Sequence, residues 1–458
     1  MTVINLNKRK LFTTTRTDDI TVEMIEDAIK LHRENLLEEY VDNDDMYLSD
    51  HDILHEDPKE AYKPDNRLVF NYPKYIVDSF IGYHVGNSVS ITHSEVRIND
   101  YISSFSQLNN LDDKINELDK IANICGNAFL YVYQGEDKLT YIKELSPINT
   151  ILIHDDSIDE RPYFAIRYNL DDKGEIASGE LITENDLQAF SKGKQGIVLS
   201  EAVQHPYTYL PVVEYTPNTE RQSLFMPVKS LINELNKAIS EKANDIDYFA
   251  DAYLWISGME LEDGDEDVIK TNRVINTFGG ENYLVQFLEK PNADTAQENL
   301  IKHLKEAIFN ISMVANLNEE NLGSASGTAM AFKLQNMNNL AKNQDRKLQA
   351  TLSNLFKVVF SLPTTEVANT DFVGINYNFT RNIPRNLLEE SQVINNLDGH
   401  VSDETKLSTL SIVRNAKDEM TRMDDEKMED ARTYQRLEQE QRGASDMDIF
   451  ETNEKVIE

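Results

Sequence analysis

The sequence predicts an α+β, mainly helical protein, and three observations carry that prediction. Short aromatic and β-branched runs separated by polar turns fill residues 126–215. Beyond residue 224 the apolar residues recur at i, i+3 and i+4 over three long stretches. The 458 residues include only 17 glycines and 12 prolines, so no large low-complexity linker is expected and the length suggests two to four structural regions.

The first 60 residues combine a short amphipathic helix with an acidic loop. Thr21 is placed to cap the helix, and Ile20 and Ile25 have the spacing of a hydrophobic staple. Glu23 and Glu26 lie where the helix dipole favours negative charge, and Ile25, Ala28, Ile29 and Leu36 supply the apolar face. The run Asp42-Asn43-Asp44-Asp45 reads as a solvated loop. Strands are expected at Ala128 to Tyr133, Tyr141-Ile142, Ile151 to Ile153, Phe164 to Tyr168 and Val212 to Tyr215. Gly135 and Asp171-Asp172-Lys173-Gly174 supply the turn chemistry between them.

Residues 224–257 read as one helix, roughly 50 Å long at about 1.5 Å per residue, with Val228, Ile232, Leu235, Ile239, Ala243 and Ile246 on its apolar side. A break at Ser257-Gly258 and an acidic stretch lead to a β-hairpin formed by Val274-Ile275 and Tyr283-Leu284-Val285. A second helix over 294–315 carries Leu300, Ile301, Leu304, Ile308, Ile311 and Val314. A loop at 316–326 interrupts it before a third helix, 327–361, which Pro363 closes. Phe372 to Tyr377 is a last strand candidate; Ser402 and Thr405 open a short helix, and 416–442 form a charged one.

Charge narrows the function. There are 45 Lys and Arg against 80 Asp and Glu, a net charge of −35. Proteins that grip nucleic acid gain affinity by releasing counterions with basic residues, and this composition runs the other way. The N-terminus is basic at Lys8, Arg9 and Lys10 without the apolar stretch of a secretory signal, and no run approaches a membrane helix. The single Cys125 leaves no intrachain disulfide, so synthesis in a reducing cytoplasm is expected.

Catalytic motifs fail one by one. His51 and His55 stand at i, i+4, like two ligands of a zinc helix, but in an acidic, loop-like setting without the glutamate that follows the first ligand. Asp42 to Asp45 and Asp263 to Asp267 crowd carboxylates without the register of a calcium loop. Gly323-Ser324-Ala325-Ser326-Gly327-Thr328 lacks the lysine of a phosphate-binding loop and has Ala325 where a nucleophile elbow needs serine. Cys125 reads as a small buried residue and Trp255 as a packing anchor at a helix end. The reading is a scaffold that needs no cofactor or metal.

Several ordered stretches carry a resemblance. They are Asn66-Arg67-Leu68 through Ile76-Val77-Asp78 with Gly82-Tyr83-His84-Val85-Gly86, then Gly126 to Tyr133, Pro211 to Tyr215, Val228 to Ile232 with Asn244 to Ile246, Ser326 to Ala329, and Phe379-Thr380-Arg381-Asn382-Ile383-Pro384. In this order the chain resembles the portal (head–tail connector) family of tailed bacteriophages, especially that of long-tailed phages of Gram-positive hosts. Thr216-Pro217-Asn218 departs from the asparagine-rich turn expected there.

The resemblance implies a virion protein, made in the host cytoplasm, that forms a ring, usually of twelve subunits, at one capsid vertex. It implies a wing before residue 223, a first stem helix at 224–257, a clip at 258–293 and a second stem helix at 294–315. A tunnel loop at 316–326, a wing helix and closing strand at 327–383 and a crown at 384–458 complete it. Asn321, Leu322, Gly323, Ser324, Ala325 and Ser326 would then face passing double-stranded DNA, and Lys270 and Arg273 would make clip contacts. The partners implied are further copies of the chain, the terminase large subunit, a head-completion or tail adaptor, and scaffolding and major capsid proteins. The alternatives are a minor head protein other than the portal, and a metal-dependent hydrolase using His51 and His55.

Overall fold

The computed structural model describes residues 3–60, 63–193, 196–250, 253–257, 274–277, 284–288, 294–316, 332–363, 365, 367–382, 387–410, 412–413 and 416–433; the side chains of 248–250, 253–257, 274–277, 284–288 and 387–389 are outside the description. The architecture is α+β, as the sequence predicts. Two compact units are present, the first ending at Asn382 and the second comprising the described residues from 387 onward.

Strands β1 (Asn5–Leu6) and β2 (Phe12–Thr14) precede helix α1 (Val22–His32), which Thr21 caps by accepting from the Met24 amide. A π-helical turn, Arg33–Leu37, carries α1 directly into α2 (Glu38–Tyr47). This corrects the expected loop at Asp42 to Asp45. Its three carboxylates are half-buried while Tyr40, Asn43, Met46 and Tyr47 are buried, and Asp42 pairs with Lys229. A short α3 (Asp52–His55), then α4 (Tyr72–His84), β3 (Ser90–Thr92), α5 (Val96–Asn109) and α6 (Leu111–Cys125) follow.

The β region is larger than the sequence suggests. β4 (Ala128–Gln134), β5 (Thr140–Leu145), β6 (Thr150–Asp155) and β7 (Pro162–Leu170) match expectation. β8 (Ile176–Ile182), β9 (Asp186–Gly193), β10 (Gly196–Leu199) and β11 (Val203–Gln204) extend it, before β12 (Val212–Tyr215). One sheet runs β1-β2-β6-β7-β8-β9-β10, with β11 also on β9, and a second runs β12-β4-β5. Phe129 and Val212 of the second sheet pack with Leu152, Ala165 and Ile182 of the first to form a shared core.

Helix α7 (Lys229–Ala250) follows a 3-10 turn, Met226–Val228. The expected helix over 224–257 is therefore shorter, because Tyr253–Ser257 is strand β13 and Trp255 belongs to that strand. Its β-branched and aromatic residues favour the extended chain. β14 (Val274–Thr277) pairs parallel with β13, and β15 (Leu284–Leu288) pairs antiparallel with it on the other side. The expected hairpin between the last two is thus a three-stranded sheet with β13 in the middle.

Helix α8 (Asp294–Ser312) and the long α9 (Gln335–Phe360) follow, then a 3-10 turn, Asp371–Gly374, and β16 (Asn376–Asn378) paired with β3. The strand expected from Phe372 is thus cut to three residues. In the second unit, α10 (Leu387–Leu397) precedes α11 (Asp403–Ser408), capped by Ser402, and a charged helix α12 spans 416–433 with nearly every side chain exposed.

Gly126 ends α6 at φ +107°, and a Cβ there would lie 2.3 Å from the Arg221 carbonyl oxygen. Both the left-handed backbone and the close approach exclude a side chain. Gly126→Ala should therefore destabilise the fold by more than about 2 kcal/mol, read as a lowered urea midpoint; an unchanged midpoint would contradict the packing.

Candidate functional site

The geometry best suited to a function is a pair of helices, α7 and α8, and the way the first unit holds them. Residues 66–70 lie extended along α7 with no sheet to join. An extended chain points every second amide the same way, about 6.6 Å apart, and helix residues four apart are separated by about 6 Å. Three polar side chains on α7 meet that repeat. Asn244 Oδ1 accepts from the Asn66 amide at 2.7 Å, Ser240 Oγ from Leu68 at 2.9 Å, and Asn236 Oδ1 from Phe70 at 2.8 Å. All three are buried.

The ladder fixes its surroundings. Because Asn236 accepts through its oxygen, its amide nitrogen donates to His51 Nδ1, 3.0 Å away. Burial lowers the His51 pKa, so the ring is neutral. Asn233 donates to Asp52 at 2.7 Å, and Asn66 donates to Asp247 at 2.6 Å. Asn71 then caps α4 by accepting from Lys74 at 2.9 Å, while its own amide donates to the Tyr47 carbonyl and to Ser49 Oγ.

Helix α8 packs beside α7. Lys242 pairs with Glu298 and with Asp294 at 2.9 Å, and those hydrogen bonds raise its pKa; Gln297 donates to Asp245 at 2.8 Å. At the other end Phe309 meets Tyr72 and Tyr75 edge-on at 5.5 and 5.6 Å. Ile301, Leu304 and Ile308 are buried. Three apolar side chains of the pair stay exposed among the described residues: Ile246 on α7 is 61% exposed, and Leu300 and Ile311 on α8 are 45% and 50% exposed. On α7, Ile246 ends the face that carries the buried Ile232 and Leu235 and the half-buried Ile239 and Ala243.

The predicted site residues fare differently. Asn321, Leu322, Gly323, Ser324, Ala325 and Ser326, and Lys270 and Arg273, lie outside the described residues. His51 and His55 are described, and they diverge. His51 is buried against Asn236 of α7, whereas His55 is exposed and pairs with Asp50 at 2.6 Å. Among the described residues no group of three His, Cys, Asp or Glu side chains is placed to hold a metal ion. The ladder residues escape the sequence reading, although small polar residues at i, i+4 and i+8 within an apolar helix are a visible signal.

A helix pair rooted in an α+β body by buried polar side chains, with no metal cluster among the described residues, is the geometry of a scaffold. The family model described as "Phage portal protein, SPP1 Gp6-like" matches residues 26–433, and the chain belongs to this family of phage portal proteins, structural components of the phage capsid. It is similar to the protein named "Portal protein" of Clostridium phage phiCD119, with 22% identity over 367 residues that cover 74% of this chain and 80% of the relative. No described helix is long and apolar enough to cross a membrane.

Asn236→Ala should cost about 1–3 kcal/mol, since it leaves the Phe70 amide and the buried His51 without their partner. Ser240→Ala, which frees one amide, should cost about 1 kcal/mol. Urea unfolding measures both, and hydrogen exchange at Leu68 and Phe70 should accelerate in each; unaltered exchange there would remove the ladder from the account of how α7 is held.

Proposed function

We propose that copies of this chain close a ring, of twelve subunits as in the family it belongs to, and that α7 and α8 form the wall of its central channel. The exposed Ile246, Leu300 and Ile311 carry the reading, because a lone subunit would leave them in water. In the ring they meet the neighbouring subunit. The family supports a ring at a capsid vertex through which DNA is packaged, retained and ejected.

In this reading the first stem helix ends near Ala250 and the three-stranded sheet of β13, β14 and β15 belongs to the clip, which would begin at Tyr253. Lys270 and Arg273 would contact a neighbour or the terminase large subunit, and the head-completion or tail adaptor would dock at the same end. Scaffolding and major capsid proteins would meet the outer surface. Residues 321–326 would form the tunnel loop, small and polar enough to follow double-stranded DNA without locking onto it.

The charge of −35 per chain suits passage. Each lysine–phosphate contact acts as a brake on sliding, and a lumen poor in basic contacts avoids it. The subunit then works as a conduit and dock, with hydrolysis left to the motor it holds.

Two variants test this. Ile246→Asp with Ile311→Asp should leave the subunit folded yet prevent ring formation at concentrations where the native chain assembles, read by sedimentation velocity. Deleting 321–326 should spare the ring and impair DNA packaging or retention. Rings from the double variant, or full-length genomes packaged by the deletion, would count against the respective assignment.

A further inference from the structure

His84, in the last turn of α4, is buried between two carboxylates. Its Nδ1 lies 2.7 Å from Asp119 Oδ2 on α6, and its Nε2 lies 3.1 Å from Asp345 Oδ1 on α9. A neutral imidazole has one N–H and one lone pair, so it could satisfy only one of them. The other contact would set a lone pair against a carboxylate oxygen.

The carboxylates are already acceptors for other groups. Asp119 Oδ1 accepts from the Tyr215 hydroxyl at 2.8 Å and from Asn123 Nδ2 at 2.9 Å, and Asp345 Oδ2 pairs with Arg381. Gln344 completes the cluster by bonding to Asn123 and Tyr215. Two carboxylates against one guanidinium balance only when His84 is an imidazolium, and an unbalanced buried charge is costly. Burial opposes the charge, but Asp119 and Asp345 outweigh it and raise the His84 pKa to about 9.

The same histidine fastens residues distant in sequence. Phe379 stacks on the ring with centroids 6.5 Å apart and planes 7° from parallel, and Phe80 stacks at 5.4 Å. Arg381 donates to the His84 carbonyl at 3.3 Å and lies over the Tyr83 ring. The Asn382 amide donates to the Tyr83 carbonyl at 3.4 Å, and a Cβ at Gly86 would come within 3.0 Å of the Asn382 side chain. Asn382 is the last residue of the first unit.

We propose that His84 is a proton-held latch: its imidazolium fastens residues 379–382 to the end of α4 and the middle of α9, and loss of that proton frees the stretch of chain leading into the second unit. The groups facing it are Asp119 and Asn123 from α6, Tyr215 from β12, Gln344 and Asp345 from α9, and Arg381 from the latched segment, with Tyr83 beside it on α4. A histidine whose folded pKa is raised contributes stability that is fully present below its unfolded value of 6.5. That contribution declines as pH rises above 6.5 and is gone above about 9.

Hydrogen exchange by mass spectrometry on the full-length assembled protein, corrected for the intrinsic base-catalysed rate, tests the latch. One proton held at about 9 when latched and 6.5 when released gives a fall in protection of residues 376–382 on the order of 70-fold from pH 7 to pH 10. Protection of β4 should not follow. Asp345→Asn, which leaves the imidazole one carboxylate, should move the fall to lower pH. The native profile decides by itself: protection of 376–382 that is flat from pH 6 to 10, or that falls only in step with β4, overturns the latch. So does an unshifted midpoint in Asp345→Asn.

Discussion

The bonds from Asn236, Ser240 and Asn244 to the backbone of residues 66–70 are the constraint on which the rest of the first unit depends. An amide turned toward a packed helix must find an acceptor, and an extended segment outside any sheet has none of its own. Helix α7 supplies acceptors on a matching repeat, so the segment and the helix each fix the other. The chain then enters α4 directly at Tyr72, whose ring, with that of Tyr75, receives Phe309 of α8. The Asp42–Lys229 pair ties α2 to the first turn of α7. Polar bonds thus anchor α7 on one side, and its apolar side runs from the buried Ile232 and Leu235 to the exposed Ile246.

Where local chemistry decided the structure, the sequence was legible. Thr21 caps α1 and Ser402 caps α11, because a hydroxyl beside free helix amides has few other uses. The strands β4, β6 and β7 showed in their aromatic and β-branched runs. The strands Ile176–Ile182 and Asp186–Gly193 did not, since Gly179, Ser178 and Ser191 dilute the alternation and the sheet, not the segment, stabilises them. Asp42 to Asp45 hid a helix because the eye follows the carboxylates and misses Asn43 and Met46 facing inward. At Tyr253 the helical spacing ran past the true end of α7, and pairing on both sides by β14 and β15 prevailed. The site was less legible: Asn236 and His51 matter only once residues 66–70 are placed against them.

The same rule of paired burial recurs through the body. His32, whose pKa burial lowers to about 4, stays neutral, bonded to the Tyr168 hydroxyl and the Pro147 carbonyl. Glu214, half-buried, is held below its ordinary pKa by Arg221 although desolvation opposes this. His84 is the opposite case, charged because two carboxylates surround it. Among the described residues, these ions each have a partner of opposite charge.

The central claim is that α7 and α8 present a surface made for other copies of the chain. Native mass spectrometry of the purified protein measures this most directly. A closed ring predicts one dominant species at twelve times 52.5 kDa, about 630 kDa, that persists on dilution. A 52.5 kDa monomer at every concentration, with cooperative unfolding independent of concentration, would contradict it.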